Sequence, residues 1–279
     1  MSRWRFILSA RWARYLVLVL VFAAGCAGLA SWQVARRAEK VAEITRIEQN
    51  YDASPVPLDE ALPEPGSFAA EQEWQRVVLT GEYRTEDQLV VRNRPRGGAP
   101  GFEVLVPFET DSGRVFLVDR GWVSIADGGA PAAIPEAPDG PVTVVARLKP
   151  GEGTVAGATT TSTGVLASIH LPEVERVLGT PIEDSAYGLL ASEDPAPAER
   201  PAPAARPEID EGPHLSYAVQ WVVFALLGFG GLVFAGRQEY RYRNADDPEE
   251  QRRAADRAAK KAVRRTDADE EDALLDSVR

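Results

Sequence analysis

Three short clusters in this chain hold residue types that can do chemistry. His214, one of two histidines in 279 residues, stands at the start of an apolar stretch that runs to Gly236. On a helix, His214, Tyr217, Trp221, Ala225 and Gly228 share one face at i, i+3, i+7, i+11 and i+14. An imidazole at a membrane surface, above two aromatic rings and a small-residue groove, can ligate a haem iron while the macrocycle lies along that face. The competing reading is an interfacial histidine beside aromatic anchors. A second cluster, Trp32-Gln33-Val34-Ala35-Arg36-Arg37-Ala38-Glu39-Lys40, has the make-up of an interfacial tryptophan with basic anchors. The third, Val118-Asp119-Arg120-Gly121-Trp122-Val123, reads on its own as a local ion pair, a glycine required by the backbone and a buried tryptophan.

Enzyme constellations are missing from the sequence. Two histidines leave few general bases of the usual type. Arg94-Pro95-Arg96-Gly97-Gly98 lacks the lysine and the spacing of a phosphate-cradling loop, and no nucleophile elbow occurs. The single cysteine, Cys26, rules out an intramolecular disulfide and any cysteine-based metal cluster. A net charge of -11 argues against nucleic acid as a partner, because that needs a basic footprint. The expectation is a protein that is not an enzyme.

The elements that position these clusters follow from hydropathy. A mean hydropathy of -0.22 averages two membrane-grade blocks with very polar flanks. Tyr15 to Trp32 carries no charge and approaches the roughly 20 residues that a helix needs to cross the hydrocarbon core. Glu208, Asp210 and Glu211 precede the second block; Arg237, Arg241 and Arg243 follow it. Basic residues stay inside, which places the C-terminal tail in the cytoplasm. Two spans put both termini there, in agreement with Arg3, Arg5, Arg11 and Arg14. A lipoprotein signal is the rival reading of the first block, since Ala23-Ala24-Gly25 puts small residues before Cys26, but apolar residues continue to Ala30. Small residues four apart, Ala24 with Gly28 and Gly231 with Ala235, suggest close helix packing. Antiparallel pairing of the spans would set Trp32-Gln33 and His214-Tyr217 at one depth.

The expected fold is therefore an α+β membrane protein: two transmembrane helices flanking an extracytoplasmic β-rich domain, a small antiparallel barrel or sandwich. Its segments are a cytoplasmic N-terminus (1–14), the first span (15–33), the β-rich domain with its juxtamembrane helix (34–192), a Pro/Ala linker (193–213), the second span (214–236) and a charged tail (237–279). Helical spacing of Val34, Val41, Ile44 and Ile47 continues the first helix to Tyr51, and Asp52 to Phe68 reads as a Pro-rich loop. Strands are expected at 75–83, 88–94, 142–148 and 185–190, with a hairpin of 102–108 and 115–123 about Asp111-Ser112-Gly113. Leu171 to Leu178 reads as a helix that Gly179 ends. The linker reads as a semi-rigid polyproline tether.

Taken in order, the three clusters resemble the surfeit-locus-one (Surf-one/Shy-one) family of cytochrome c oxidase assembly factors. Trp32, Gln33, Arg36 and Lys40 fit its Trp-Gln-x-x-Arg-x-x-x-Lys motif after the first span. Gly101-Phe102 through Pro107, then Arg120-Gly121-Trp122-Val123, fit its middle motif, and His214, Leu215, Tyr217, Ala218 and Trp221 fit the last. The chain departs from the pattern at Ala30, Asp119 and Gly212-Pro213, where the family often has Gly, Asn and Asn-Asn. The resemblance covers about Leu29 to Gly228. It implies a multi-pass protein of the bacterial cell membrane whose partners are the bilayer, the oxidase catalytic subunit and other assembly factors. It also implies haem a as cofactor and His214 as the iron ligand; Tyr217 and Trp221 would then wall the pocket by the helical spacing above. Trp32, Gln33, Arg36, Lys40, Arg120, Gly121 and Trp122 would serve partner contact or structure. A scaffold that holds oxidase subunits together without haem is the alternative.

Overall fold

A proline-free run rich in Ala, Val, Leu and Arg forms one long helix, α1 (Ala10–Asn50). A computed structural model describes residues 4–126, 128–157 and 164–263 of the chain and divides it into two units. The first comprises Met1–Ala38 and Gly212–Arg279; the second is Glu39–Glu211. The expected juxtamembrane helix is thus the continuation of the first span.

In order after α1 come β1 (Val56–Pro57), α2 (Leu58–Ala61), β2 (Arg76–Tyr83), β3 (Leu89–Val91), β4 (Gly101–Thr110) and β5 (Val115–Ser124). β6 (Val142–Pro150), β7 (Val165–Leu166), α3 (Leu171–Leu178) and β8 (Ala186–Asp194) complete the second unit. α4 (His214–Arg243) and α5 (Pro248–Val263) belong to the first. α1 and α4 are both long and apolar enough to cross a membrane. The part of the expected charged tail that comprises residues 264–279 lies outside the described residues.

The second unit is built on a closed barrel. β2 pairs with β6, β6 with β8, β8 with β5, β5 with β4, and β4 returns to β2. The β5–β8 pair is parallel and the other four are antiparallel. Alternation decides what fills the barrel. Val77, Leu79, Val104, Val106, Phe108, Phe116, Val118, Val144, Ala146 and Leu148 point inward as one apolar cluster. The intervening Leu105, Leu117 and Leu189 face outward and are covered by Leu171 and Val174 of α3. That helix ends as its sequence dictates, at Gly179 in the left-handed conformation (φ 68°).

Closure depends on Gly81. Its φ is +153°, and a Cβ there would lie 2.0 Å from the carbonyl oxygen of Glu109, where β2 meets β4.

Two expectations change. The stretch 52–68 is not only loop: β1 runs parallel to β2, and Leu58, Ala61 and Leu62 are buried in the core. The Pro/Ala stretch, expected as a semi-rigid tether, is in part paired with the barrel. Glu193 and Asp194 complete β8, and Ala202 exchanges two backbone hydrogen bonds with Trp122, at 2.8 and 2.9 Å. Arg206 then pairs with Asp52 at 2.8 Å and lies over the Tyr51 ring. A polyproline-like backbone keeps its carbonyls and non-proline N–H groups free, so it can pair wherever a strand edge is open.

Candidate functional site

The site begins with the packing of α1 and α4 in the first unit. Between His214 and Gly228 of α4 the less exposed positions are His214, Ala218, Trp221, Ala225 and Gly228; between Val19 and Gln33 of α1 they are Val19, Ala23, Cys26, Ala30 and Gln33. Steps alternating between three and four residues keep one seam facing a partner helix. Gly228 lies against the Phe22 ring, where a Cβ would be 3.3 Å from it, and Gly236 lies against Trp12. Cys26, 2% exposed, is in this seam. The spans therefore run antiparallel, with Gln33 beside His214 and Trp12 beside Gly236. The pairs Ala24/Gly28 and Gly231/Ala235 are not the packing surface: all four are exposed, on other faces of their helices.

α4 begins at His214, directly after Pro213, and the Tyr217 N–H bonds to the Pro213 carbonyl at 3.1 Å. This holds the imidazole on the first turn. Its Nδ1 is 2.8 Å from Oε1 of Gln33. An amide oxygen only accepts, so Nδ1 carries the proton and donates. The lone pair is then on Nε2. The Cβ position of Gly212 is 3.5 Å from both Cδ2 and Nε2, so at residue 212 hydrogen in place of a side chain leaves that edge of the ring uncrowded. An imidazole with one nitrogen oriented by a hydrogen bond and the other uncommitted is the arrangement that suits a metal or haem ligand. Among the described residues, no group of three or more His, Cys, Asp or Glu could hold a free metal ion.

Trp221 lies in the seam, edge-on to Phe224 at 5.8 Å between ring centres. Tyr217 does not share that seam. It is 48% exposed, and Ala218 takes the inward position next to His214. A step of three residues turns 60° short of a full circle, which carries Tyr217 to the outer edge of the face. Trp32 is 55% exposed and Arg36 is exposed. In the second unit, Lys40 pairs with Glu43 at 2.9 Å.

The Arg120-Gly121-Trp122 cluster has structural work inside the second unit. Arg120, 1% exposed, points into the barrel. It donates to Glu193 at 3.1 Å and to the carbonyls of Pro135 and Glu136, while Tyr83 donates to the other Glu193 oxygen at 3.0 Å. Burial, and next the Glu193 charge, push the Tyr83 hydroxyl far above its ordinary pKa, so it stays a donor. Gly121 (φ +129°) allows the approach of Ala202, whose carbonyl oxygen would be 2.5 Å from a Cβ. Trp122 packs on Gly101 and donates from Nε1 to the Arg94 carbonyl at 2.6 Å.

Beside it lies a polar network that the sequence did not announce. Arg94 pairs with Glu103 at 2.9 Å and with Glu152 at 2.5 Å. Asp119 is buried and accepts from the Gly121 N–H at 2.9 Å. Burial, then the Glu103 charge, push its carboxyl up to about 8. The available signal was alternation: Asp119 follows Leu117 on the outward face of β5, which α3 and its neighbours cover.

Comparison with known proteins extends over both units. Residues 20–226 match the SURF1 family. A SURF1-like protein of Mycobacterium bovis is 34% identical over 250 residues, which are 88% of this chain and 91% of that one. One from Mycobacterium tuberculosis has the same identity and coverage. The cytochrome oxidase assembly protein SHY1 of Saccharomyces cerevisiae is 32% identical over 116 residues, 39% of this chain and 28% of the yeast protein.

Proposed function

The chain belongs to the SURF1 family, and from that membership we infer that it assists the assembly of cytochrome c oxidase. In this reading it is a two-span protein of the bacterial cell membrane. The charges flanking the spans support a topology with both termini in the cytoplasm and residues 39–211 on the other side. It holds haem a for the oxidase catalytic subunit, acting with other assembly factors. His214 would ligate the iron through Nε2, with Gln33 orienting the imidazole, and Trp221 and Tyr217 would line the pocket. Bound haem a would supply an iron that accepts a nitrogen ligand and changes its absorption when that ligand is lost.

The observation that carries this reading is the 2.8 Å contact of His214 Nδ1 with Gln33, which leaves Nε2 free to coordinate. The experiment is the absorption spectrum of the full chain purified from cells that make haem a, repeated with His214→Ala. A haem spectrum in the wild type that disappears in the variant is expected. Absence of haem in the wild type, or an unchanged spectrum in the variant, defeats the ligand assignment.

A scaffold that binds oxidase subunits without haem is the second reading. The exposed Trp32 and Arg36 favour it as contact residues. Oxidase subunits captured by a haem-free preparation would support it.

A further inference from the structure

Far from His214, the first unit has an apolar cleft between the start of α1 and the end of α4. It measures about 570 Å³ and is walled by Ile7, Leu8, Leu16, Leu232 and Val233, with Arg237 on its rim. That volume is in the range of about 300–1,000 Å³ common for small-molecule sites. Trp4 bounds it too and is fixed by stacking on Tyr240, with ring centres 4.3 Å apart. Arg237 also edges an adjoining groove, and there it is joined by Arg241, one helical turn further on. Among the described residues, neither guanidinium makes an ion pair or hydrogen bond. The carboxylate of Glu239, two residues from each and so on a different face of α4, pairs instead with Arg11 at 2.5 Å and Arg243 at 2.7 Å.

We propose that this cleft holds an acyl chain of an anionic phospholipid whose phosphate pairs with Arg237 and Arg241. The inference goes beyond the haem site and rests only on the two helices spanning a membrane. The cleft needs hydrocarbon, because its walls are aliphatic and aromatic. The rim needs an oxyanion, because planar guanidinium forks match phosphate oxygens in pairs. A free phosphate meets only the second need. A zwitterionic lipid meets the first, but its own cation competes for the phosphate.

The test is native mass spectrometry of the full chain in detergent, with equal amounts of phosphatidylglycerol and phosphatidylcholine of identical acyl chains. Retention of phosphatidylglycerol over phosphatidylcholine by roughly 25-fold is expected, at about five-fold per arginine near a membrane surface. Arg237→Gln with Arg241→Gln brings the two lipids to parity. Ala13→Trp, which fills the cleft without changing charge, lowers retention of phosphatidylglycerol. Arg252→Gln with Arg253→Gln, an equal loss of charge on α5, leaves the preference intact. Excess inorganic phosphate does not displace the bound lipid. Equal retention of both lipids by the wild type overturns the proposal. So does a preference that survives loss of Arg237 and Arg241 or that disappears equally with Arg252 and Arg253, and so does retention of phosphatidylglycerol that is undiminished in Ala13→Trp. Displacement by inorganic phosphate also overturns it. Incorporation into vesicles of either lipid by the same variants separates failure of the lipid site from failure of the two-span reading.

Discussion

Gln33 and His214 are 181 positions apart in the chain, yet the amide oxygen of one accepts a hydrogen bond from Nδ1 of the other at 2.8 Å. The bond sets the tautomer of the imidazole. It also links the first and last of the three clusters that sequence reading singled out, which gives Gln33 a role of its own beside an interfacial tryptophan.

Gln33→Leu removes the acceptor while leaving the seam apolar. Loss of such an orienting partner typically costs about 10- to 100-fold in affinity for the bound group. Haem titration of the purified variant should show a fall of that size, while Gln33→Glu, which still accepts from Nδ1, should keep most of the affinity. Equal haem affinity in Gln33→Leu and the wild type would separate the hydrogen bond from ligation.

Gly212→Val introduces bulk 3.5 Å from the Nε2 edge of His214, at a residue with φ +69°. A left-handed β-branched residue is strained by about 1–3 kcal/mol. Gly212→Ala shares much of the strain with less bulk. Haem occupancy should therefore fall further in the valine variant than in the alanine variant, as read from the ratio of haem to protein absorbance. A difference in melting temperature alone, with equal occupancy, would assign Gly212 to the backbone only.

Arg120→Met leaves Glu193 in the barrel with Tyr83 as its remaining side-chain partner. Breaking a buried ion pair from one side costs about 3–5 kcal/mol. Intrinsic fluorescence during heating should show a clear loss of melting temperature. Adding Glu193→Leu, which removes the stranded charge, should recover part of it. A double variant no more stable than Arg120→Met would contradict this account.

Stability should depend on pH through Asp119. Burial, and then Glu103, raise its folded pKa to about 8, against about 3.9 for an unfolded aspartate. Between those values the folded state holds a proton that the unfolded state has lost. The contribution is therefore fully present below about pH 4 and is lost as pH rises to about 8. Glu152 acts in the same direction, whereas Arg94 and the Gly121 N–H oppose it. Asp119→Asn should flatten the fall in melting temperature from pH 5 to pH 8.5 and stabilise the protein at the upper end. An identical pH profile in the variant would show that Asp119 does not titrate in this window.

Much of the architecture was written in local patterns. Hydrocarbon length gave both spans, alternation gave the strands from Arg76 to Leu190, and Gly179 marked the end of α3. What stayed hidden depended on contacts between distant segments. No local signal in a Pro/Ala stretch says that Ala202 will pair with Trp122, because the stretch has no alternation of its own to match to an edge. Small residues occur on several faces of both spans, so size alone could not choose the Cys26–Ala218 side over Ala24, Gly28 or Gly231. The helical face read around His214 held for Trp221, Ala225 and Gly228 and failed for Tyr217, the residue furthest round its circumference. The buried Asp119 was legible only as a motif member, since its environment is assembled from β4, β5 and the loops carrying Arg94 and Glu152.

The barrel's strand order has a consequence for biogenesis. β8 lies between β5 and β6, and among the described residues it is the last strand that the ribosome delivers. Until Asp194 has emerged, β5 and β6 each present an open edge, and an open edge invites pairing with another chain. The ring therefore cannot close strand by strand during synthesis. A chain halted before β8 would keep its first span and an unsealed sheet, a species prone to aggregation and proteolysis. Pulse-labelled chains should become protease-resistant only at lengths beyond Asp194.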